Sequence, residues 1–291
     1  MSGSQIEVHE PVQTTMPFVS TRGARVRYSV TGRGDAVLLI QGVGAVGGAW
    51  QPQVEALSDR YRVITFDNRG IGASVITDGS LSIESMADDA ATILDAEGIA
   101  RCHVVGHSMG GLIAAQLALT SPRRVQTLAL MCTFPDGRSG SRLTRDTVLT
   151  GLRTRIGTRA MRRTAFLSLV LSRSLMRDVS AHAKVAERMA ALFERDLADQ
   201  PRIIMRQLRA MSRYDPRWRL RSLSSIPTMV VSAAEDRIAR PEYGRALAAA
   251  IPGATYLELP GAGHAVPIEE PTLINRVLSD HMRLSIPHVA S

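Results

Sequence analysis

The chain is poor in cysteine, lysine and aromatic residues. Its 291 residues include two cysteines, Cys102 and Cys132, a single lysine, Lys184, and only 4% aromatic side chains. Both cysteines fall in or beside apolar segments, so they are expected to be reduced core residues and no disulfide framework is implied. A nucleic-acid partner is not expected, because proteins that stack bases need aromatic side chains among their basic residues.

Long apolar runs are also missing. The most apolar window, residues 104–119, is interrupted by His107, so the sequence predicts no membrane span. Residues 1–15 lack a basic segment followed by an apolar core, which predicts no secretory signal and a cytoplasmic protein. No G-x-G-x-x-G motif follows a strand, and no group of histidines, cysteines and carboxylates has metal-ligand spacing. Neither a cofactor nor a metal is therefore expected.

The most informative segment is residues 104–111, which read VVGHSMGG. A β-branched run leads into G-x-S-x-G, and helical periodicity follows from Met109, so Ser108 is expected at a sharp turn between a strand and a helix. Glycines on both sides permit the strained backbone that this turn needs. The unpaired N–H groups of the helix that begins at Met109 point to where an oxyanion would form. The segment predicts a nucleophilic serine.

A nucleophilic serine needs a general base, which in this order of motifs comes last in the chain. His264 follows the predicted strand 255–259 on a glycine-flanked loop. His107 is next to Ser108, but packing beside the site is the better interpretation of it. The remaining histidines lie in contexts that favour solvent or core packing. His264 is therefore the expected base.

Three carboxylates compete for the role of the acid that orients this base. Glu235 and Asp236 follow the predicted strand 228–232, and Asp136 follows the predicted strand 127–132. The carboxyl ends of parallel strands gather at one edge of a sheet, so each of the three could reach the site despite its distance in sequence.

The ordered motifs resemble those of the α/β-hydrolase fold superfamily, in particular its cap-bearing, esterase-like members with a serine nucleophile. The resemblance runs from about residue 18 to residue 282. Besides the serine turn and His264, residues 67–74 (DNRGIGAS) are similar to the family's D-x-R-G-x-G-x-S turn, and residues 38–44 (LLIQGVG) look like its H-G-x-G oxyanion loop. Gln41 occupies the position at which the family usually has histidine.

The resemblance implies roles for particular residues. It favours Asp236 as the acid, which gives a triad of Ser108, Asp236 and His264. It also implies an oxyanion hole formed by the backbone N–H groups of Val43 and Met109. None of these roles requires a cofactor or a metal.

The alternation of short apolar runs with helical stretches predicts an α/β fold, with a mostly parallel central sheet and helices on both faces. The segment 18–31 is expected to form a hairpin-like pair. Further strands are predicted at 36–41, 62–66, 102–106, 127–132, 228–232 and 255–259. No strand pattern occurs between the sixth and seventh strands. The predicted organisation is a core of residues 18–137 and 226–284 with a helical cap, residues 138–225, inserted after the sixth strand.

Charge is concentrated in this predicted cap. Residues 138–225 contain 20 basic and 7 acidic side chains, a net charge of +13, whereas the rest of the chain has a net charge of −5. Such a field could attract an anionic or carrier-linked acyl substrate, or it could be an ordinary solvated surface. The sequence leaves both interpretations open and gives no indication of the oligomeric state.

Together these features predict a serine hydrolase that cleaves an ester, lactone or thioester of a small molecule through an acyl-enzyme, as a carboxylic ester hydrolase does. The same residues could hydrolyse a C–C bond or transfer an acyl group to an alcohol. A different class also stays open, a small-molecule receptor with slow or no turnover.

Overall fold

A computed structural model describes residues 14–141 and 145–283 of the chain. Residues 1–13 and 284–291 lie outside the described residues. The first range includes most of the segment on which the prediction about a secretory signal depends, and the second includes residue 284, the last position of the predicted core. No helix in the described ranges is both long and apolar enough to span a membrane.

A single mixed sheet forms the centre of the molecule. Its strands are β1 (Thr14–Thr15), β2 (Phe18–Thr21), β3 (Ala24–Thr31), β4 (Asp35–Ile40), β5 (Tyr61–Phe66), β6 (Val75–Ile76), β7 (Cys102–His107), β8 (Val125–Met131), β9 (Thr228–Ala233) and β10 (Thr255–Leu259). The order along the sheet is β1-β3-β5-β4-β7-β8-β9-β10, with β2 and β6 paired to β3. The six strands from β5 to β10 in this order are parallel, and β3 runs antiparallel to β5.

The central strands are apolar along their whole length because both faces of the sheet are covered. Every residue of β7 and β9 is buried, as is every residue of β4 after its first. The parallel register pairs Ile40 with Gly106 and His107 with Met131, so β4, β7 and β8 end at the same edge. The loops that follow these strands therefore lie side by side.

Helices between the strands cover the sheet. They are α1 (Gln51–Leu57), α2 (Ile83–Ala96), α3 (Met109–Thr120), α10 (Pro241–Ala250), α11 (Val266–Glu269) and α12 (Pro271–Arg283). Helix α2 begins with a capping box, in which the Ser82 side chain accepts the Ser85 N–H and Ser85 Oγ accepts the Ser82 N–H. Helix α3 is buried on nearly all sides, because it packs on β7, β8 and α2.

A run of helices separates β8 from β9. It consists of α4 (Gly137–Ser141), α5 (Arg145–Arg153), α6 (Arg159–Val170), α7 (Arg173–Arg177), α8 (Val179–Leu192) and α9 (Ile204–Ser212). We call this run the α4–α9 segment. Its described residues contain no strand. Three of these helices have N-cap side chains that accept a backbone N–H of the first turn. The N-cap residues of α6, α7 and α8 are Thr158, Ser172 and Asp178.

The α/β fold predicted from the sequence is confirmed. The predicted hairpin is β2 and β3, and β10 has the predicted bounds. The strand predicted at 127–132 begins two residues earlier and ends at Met131, because Cys132 has a φ of +45° and leaves the sheet. The two-residue strands β1 and β6 were not predicted, so the α4–α9 segment follows the eighth strand of the chain rather than the sixth.

A second apolar cluster lies outside the main core. It joins the α4–α9 segment to two loops at the carboxyl edge of the sheet, and its buried members are Ala45, Ala49, Leu167, Val170, Leu171, Met189, Phe193, Leu197, Ala265 and Ile268. Burial of these side chains attaches the segment to the edge at which the candidate site lies.

Candidate active site

Ser108 occupies the turn between β7 and α3 in a backbone conformation that non-glycine residues rarely adopt. Its φ is +57°. The turn is secured on both sides, since the Ser108 N–H donates to Met131 O (2.9 Å) and the Thr133 hydroxyl donates to Ser108 O (2.6 Å). Strain that is held in place by such contacts is typical of functional positions.

The glycines around this serine are required by close contacts. A Cβ on Gly106 would lie 2.2 Å from Gly110 O, and a Cβ on Gly110 would lie 2.1 Å from Ile40 O. Helix α3 therefore starts directly against β4 and β7. Ser108 is 6% exposed, and its side chain lines a cavity at the carboxyl edge of the sheet.

Asp236 and His264 form a buried pair on the loops after β9 and β10. Asp236 Oδ2 accepts a hydrogen bond from His264 Nδ1 at 2.7 Å. Asp236 Oδ1 accepts the N–H groups of Ile238 (2.7 Å) and Ala239 (2.8 Å). Burial acts to raise the pKa of Asp236, but the interaction with His264 and the two N–H donors outweigh it and lower this pKa. An ionised Asp236 fixes the proton of His264 on Nδ1 and leaves Nε2 as an acceptor.

The structure places Ser108 and His264 on the wall of the same cavity. Among the hydrogen bonds of the described residues, none joins the Ser108 hydroxyl to the His264 ring. Catalytic hydrogen bonds are often long in the absence of substrate, so the arrangement is compatible with proton transfer once a substrate is bound.

His107 packs behind the pair. Its Nε2–H donates to the carbonyl oxygen of His264 (2.8 Å), and its ring lies 6.3 Å from Trp50 and 4.8 Å from His264. Burial, helped by the neighbouring His264, lowers the pKa of His107 to about 3. His107 is therefore neutral near pH 7 and orients the His264 loop through its backbone.

The loop after β4 leaves one backbone donor free at the position predicted for an oxyanion hole. The N–H of Gly42 donates to Gln41 Oε1 (3.2 Å), and the N–H of Gly44 donates to Gln207 Oε1 (2.9 Å). Between them, the N–H of Val43 has no acceptor among the described residues, and the same is true of the N–H of Met109. Gln41 occupies the position at which the α/β-hydrolase superfamily usually has histidine. Its side chain stabilises this loop by accepting the N–H of the next residue, Gly42.

Residues of the glycine-rich turn after β5 support this loop. Asp67 Oδ1 accepts the N–H of Gly47 (2.8 Å), and the Asn68 side chain donates to Gln41 O (2.8 Å). The next residue, Arg69, forms a buried ion pair with Asp89 that anchors the turn to α2. The resemblance singled out this turn in the sequence, and the structure gives it a supporting role.

The α4–α9 segment holds the same loop from the opposite side. Gly44 has a φ of +72°, its N–H is bound by Gln207, and its carbonyl oxygen accepts a hydrogen bond from Arg195 Nη2 (3.0 Å). Gln207 is fully buried, and its Nε2 has no partner among the described residues. Neither Gln207 nor Arg195 was identified from the sequence.

The loop that carries His264 is attached to the segment in a similar way. Glu269 accepts two backbone N–H groups at 2.6 Å, from Gly263 with one oxygen and from Ser172 with the other. The N–H of Ala265 donates to Val170 O (2.9 Å). A Cβ on Gly263 would lie 2.4 Å from the Ser172 nitrogen, so the contact needs a glycine. Burial raises the pKa of Glu269.

The two rival carboxylates have other partners. Asp136 accepts the N–H and the hydroxyl of Ser139 (2.9 Å each) at the start of α4, and it lies 3.5 Å from Arg217. Glu235 accepts the N–H of Arg173. Of the three candidates, only Asp236 contacts His264.

One group of potential metal ligands lies at the site. Ligand atoms of His107, Cys132 and His264 are within 4.8 Å of one another. His264 Nδ1 is bound to Asp236 and His107 Nε2 to a carbonyl oxygen, while burial raises the pKa of Cys132 well above its usual value. A metal would need the thiolate of Cys132, and burial keeps this thiol protonated, so these residues fit a metal poorly.

The cavity in front of Ser108 has a volume of about 430 Å³. Its wall is mainly apolar and comes from both the sheet loops and the α4–α9 segment. Its apolar members include Phe134, Val148, Leu152, Phe166, Leu169, Phe193, Ile204, Met205, Leu208 and Met211. The cavity can bury the hydrocarbon part of a small molecule beside the serine.

Comparison with known sequences supports a hydrolase. The family model described as alpha/beta hydrolase fold matches residues 35–271. A protein named putative carbamate hydrolase RutD from Azorhizobium caulinodans is 31% identical over 267 residues, covering 90% of this chain and 97% of the relative. The protein of the same name from Variovorax paradoxus is 34% identical, covering 88% and 95%.

Solved structures show the same architecture. A thermophilic esterase from Thermogutta terrifontis superimposes with a TM-score of 0.76 at 26% identity, covering 93% of this chain and 99% of the esterase. The enol-lactonase from Burkholderia xenovorans gives a TM-score of 0.76 at 26% identity, covering 92% and 100%.

Proposed function

Because the chain belongs to the alpha/beta hydrolase family, we propose that it is a serine hydrolase of small-molecule esters, lactones or thioesters. The observation that carries the proposal is the hydrogen-bonded pair of Asp236 and His264, whose histidine lines the same apolar cavity as the strained Ser108. This geometry fits general-base activation of a serine hydroxyl better than any other chemistry at the site.

The reaction is an acyl transfer to water. His264 Nε2 takes the proton of the Ser108 hydroxyl as Oγ attacks the carbonyl carbon, and the N–H groups of Val43 and Met109 donate to the resulting oxyanion. As the tetrahedral intermediate collapses, the bond to the alcohol or thiol breaks and His264 returns the proton to it. Water, deprotonated by His264, then attacks the acyl-enzyme. The bond between the acyl carbon and Ser108 Oγ breaks, His264 returns the proton to Oγ, and the acid is released. Asp236 holds the imidazole throughout.

The α4–α9 segment serves as the cap in this proposal, within an insertion that spans residues 138–225 between two parts of one core. Support comes from its contribution to the cavity wall and from its hydrogen bonds to both site loops. A cap that excludes water from the acyl-enzyme strengthens the oxyanion contacts, since they act in a lower dielectric.

Carbamates are a second candidate substrate class, favoured by the names of the relatives. Carbamate hydrolysis can use the same nucleophile and base. A cavity of about 430 Å³ with an apolar wall nevertheless fits a substrate with a hydrocarbon group better than a small polar carbamate. Hydrolysis of a C–C bond, acyl transfer to an alcohol and slow, receptor-like turnover use the same residues and are alternative outcomes of the test below.

The test combines turnover with covalent labelling. The purified protein is assayed on 4-nitrophenyl esters, a γ-lactone, a thioester and a phenyl carbamate, and is labelled with a fluorophosphonate that is located by peptide mass. We expect ester turnover and a label on Ser108. The matched control is Ser212→Ala, because Ser212 lies on α9 and does not line the cavity. A label that persists in Ser108→Ala would overturn the proposal, and labelling without turnover on any substrate would favour the receptor.

A further inference from the structure

The charged side chains on the wall of the cavity all have the same sign. Among the described residues that line it, only Arg155 and Arg195 carry a permanent charge, and none is an aspartate or a glutamate. Both arginines belong to the basic stretch between β8 and β9. The excess positive charge seen in the sequence thus reaches the wall of the cavity.

Some arginines of the same stretch are neutralised by carboxylates at the surface. Arg159 and Arg163 pair with Asp196, and Arg159 also pairs with Asp199. Arg217 pairs with Asp215. By contrast, neither Arg155 nor Arg195 forms an ion pair with a carboxylate in the described ranges.

Arg195 is the deeper of the two cavity arginines. Its Nη2 donates to Gly44 O at 3.0 Å, and its Nη1 donates to the backbone oxygen of Asp199. A guanidinium has five N–H donors, and these two carbonyl oxygens accept only some of them, so others are available to a ligand. Burial lowers the pKa of Arg195, and the nearby negative charge of Asp199 opposes this shift.

The position of Arg195 relates it to the reacting atoms. It binds the residue that directly follows Val43, whose N–H is the proposed oxyanion donor. A Cβ on Gly42, on the other side of Val43, would lie 3.4 Å from Ser108 Oγ. Arg195 therefore lies near the acyl end of the cavity, whereas Arg155 is exposed at its rim.

We infer that the substrate carries an anionic group, such as a carboxylate, in addition to the carbonyl that Ser108 attacks, and that Arg195 binds this group. Arg155 at the rim attracts the same group during entry. The inference rests on the proposed function and specifies its substrate class: an acyl compound with an apolar body and one acidic end. A guanidinium is suited to this role because it binds a carboxylate through two parallel hydrogen bonds.

The experiment compares two esters of equal chain length, mono-(4-nitrophenyl) adipate and 4-nitrophenyl hexanoate. The adipate ester carries a carboxylate where the hexanoate ester carries a methyl group. The quantity measured is kcat/KM for adipate divided by kcat/KM for hexanoate, after subtraction of uncatalysed hydrolysis. Loss of the Gly44 contact affects both esters, so the ratio isolates recognition of the charge.

We expect the wild-type ratio to be well above one and Arg195→Gln to lower it by roughly ten-fold, as loss of a charge-assisted pair implies. Arg195→Lys should restore part of the ratio. Arg155→Gln should lower it by a few-fold at low salt and have less effect as salt screens the attraction. The matched control is Arg153→Gln, which removes the same charge from an exposed position of α5 that does not line the cavity.

Each remaining outcome is decisive. A wild-type ratio near one, or a higher ratio that Arg195→Gln leaves unchanged, overturns the inference while leaving ester hydrolysis intact. If Arg153→Gln lowers the ratio as much as Arg195→Gln does, the preference for the charged ester comes from the overall positive charge of this stretch and not from binding by Arg195.

A second measurement does not depend on turnover. Calorimetry on Ser108→Ala should detect adipate binding that Arg195→Gln, introduced into the same variant, weakens by about the same factor. No adipate binding overturns the inference even if the proposed function fails for other reasons.

Discussion

The sheet core and the α4–α9 segment contribute to the candidate site in different ways. The core carries the proposed reacting groups on loops that follow β7, β9 and β10, three parallel strands of one sheet, so the parallel register positions Ser108 and the pair of Asp236 and His264. The segment contributes none of these groups. It supplies much of the apolar wall and holds the two loops through the Gln207 side chain and through the Ser172 N–H, which donates to Glu269 of the core. Chemistry is thus assigned to the core, and loop position and substrate choice to the segment.

The division has a physical reason. A strained serine, a close helix start and a buried carboxylate need a backbone that cannot relax, and strands hydrogen-bonded on both sides provide it. A substrate-specific wall needs only side chains at suitable positions, which helices joined by loops can rearrange without disturbing the sheet. Substitutions in the core should therefore change kcat for all substrates, whereas substitutions in the segment should change selectivity or loop position.

The largest expected effect is that of Ser108→Ala. Removal of the nucleophile should lower kcat by roughly 10⁴-fold or more and abolish fluorophosphonate labelling, with little change in the melting temperature. His264→Ala should lower kcat about as much, because members of a triad act as a unit. Steady-state kinetics and thermal unfolding measure both effects. Full activity in either variant would contradict the assignment of Ser108 and His264 as nucleophile and general base.

A matched pair of substitutions separates Asp236 from Asp136, the buried aspartate that competes with it for the role of the acid. Asp236→Asn should lower kcat by about 10³- to 10⁴-fold, because the amide cannot fix the same tautomer of His264. Asp136→Asn should leave kcat within a few-fold and lower the free energy of unfolding by about 1 kcal/mol, because it weakens the contacts at the start of α4. The reverse result would assign the acid to the loop after β8.

Much of the core could be predicted from the sequence because its constraints are local. The G-x-S-x-G turn needs glycines at fixed offsets, as the contacts of Gly106 and Gly110 show. The positions of most strands along the chain follow from alternating apolar runs. The choice of Asp236 over Asp136 did not follow from the residues alone, since both follow strands and are buried, and it needed the family resemblance.

The contacts by which the segment supports the site loops could not be predicted from any motif in the sequence. Gln207 lies 163 residues from Gly44, and Glu269 belongs to the core but meets Ser172, 97 residues away. A glutamine on a helix or a glutamate after a loop has no periodicity or motif that distinguishes it from a surface residue. The sequence indicated only that the stretch was helical and basic, because side-chain pairing across the fold depends on tertiary packing.

Gln207→Leu tests whether the segment positions the proposed oxyanion hole. Loss of the Gly44 contact should lower kcat by about ten-fold for neutral and charged esters alike, with KM little changed, because the Val43 N–H would be less well positioned. The melting temperature should change little, since the substitution also removes the unpartnered Nε2 of Gln207. Kinetics on both esters and calorimetric unfolding provide the measurement.

The matched control for this prediction is Gln200→Leu. Gln200 belongs to the same basic stretch and lines the cavity, but its side chain donates to Leu197 O rather than to the loop after β4. It should change KM for individual esters more than kcat. An equal fall of kcat in the two variants would mean that the cavity wall, and not the Gly44 contact, accounts for the loss.

A further difference between the two regions should appear in acid stability, which depends on a buried histidine of the core. Burial lowers the pKa of His103 on β7 to about 4, so between pH 6.5 and 4 the unfolded chain is protonated at this position while the folded protein is not. The free energy of unfolding should therefore fall as the pH drops through this range. His103→Gln should flatten the fall by on the order of 1 kcal/mol for each pH unit in the window. His182→Gln on α8 removes a partly exposed histidine outside the core and should leave the slope unchanged. Urea unfolding at pH 7.0, 5.5 and 4.5 compares them, and equal slopes in wild type and His103→Gln would show that the core histidine does not control the acid response.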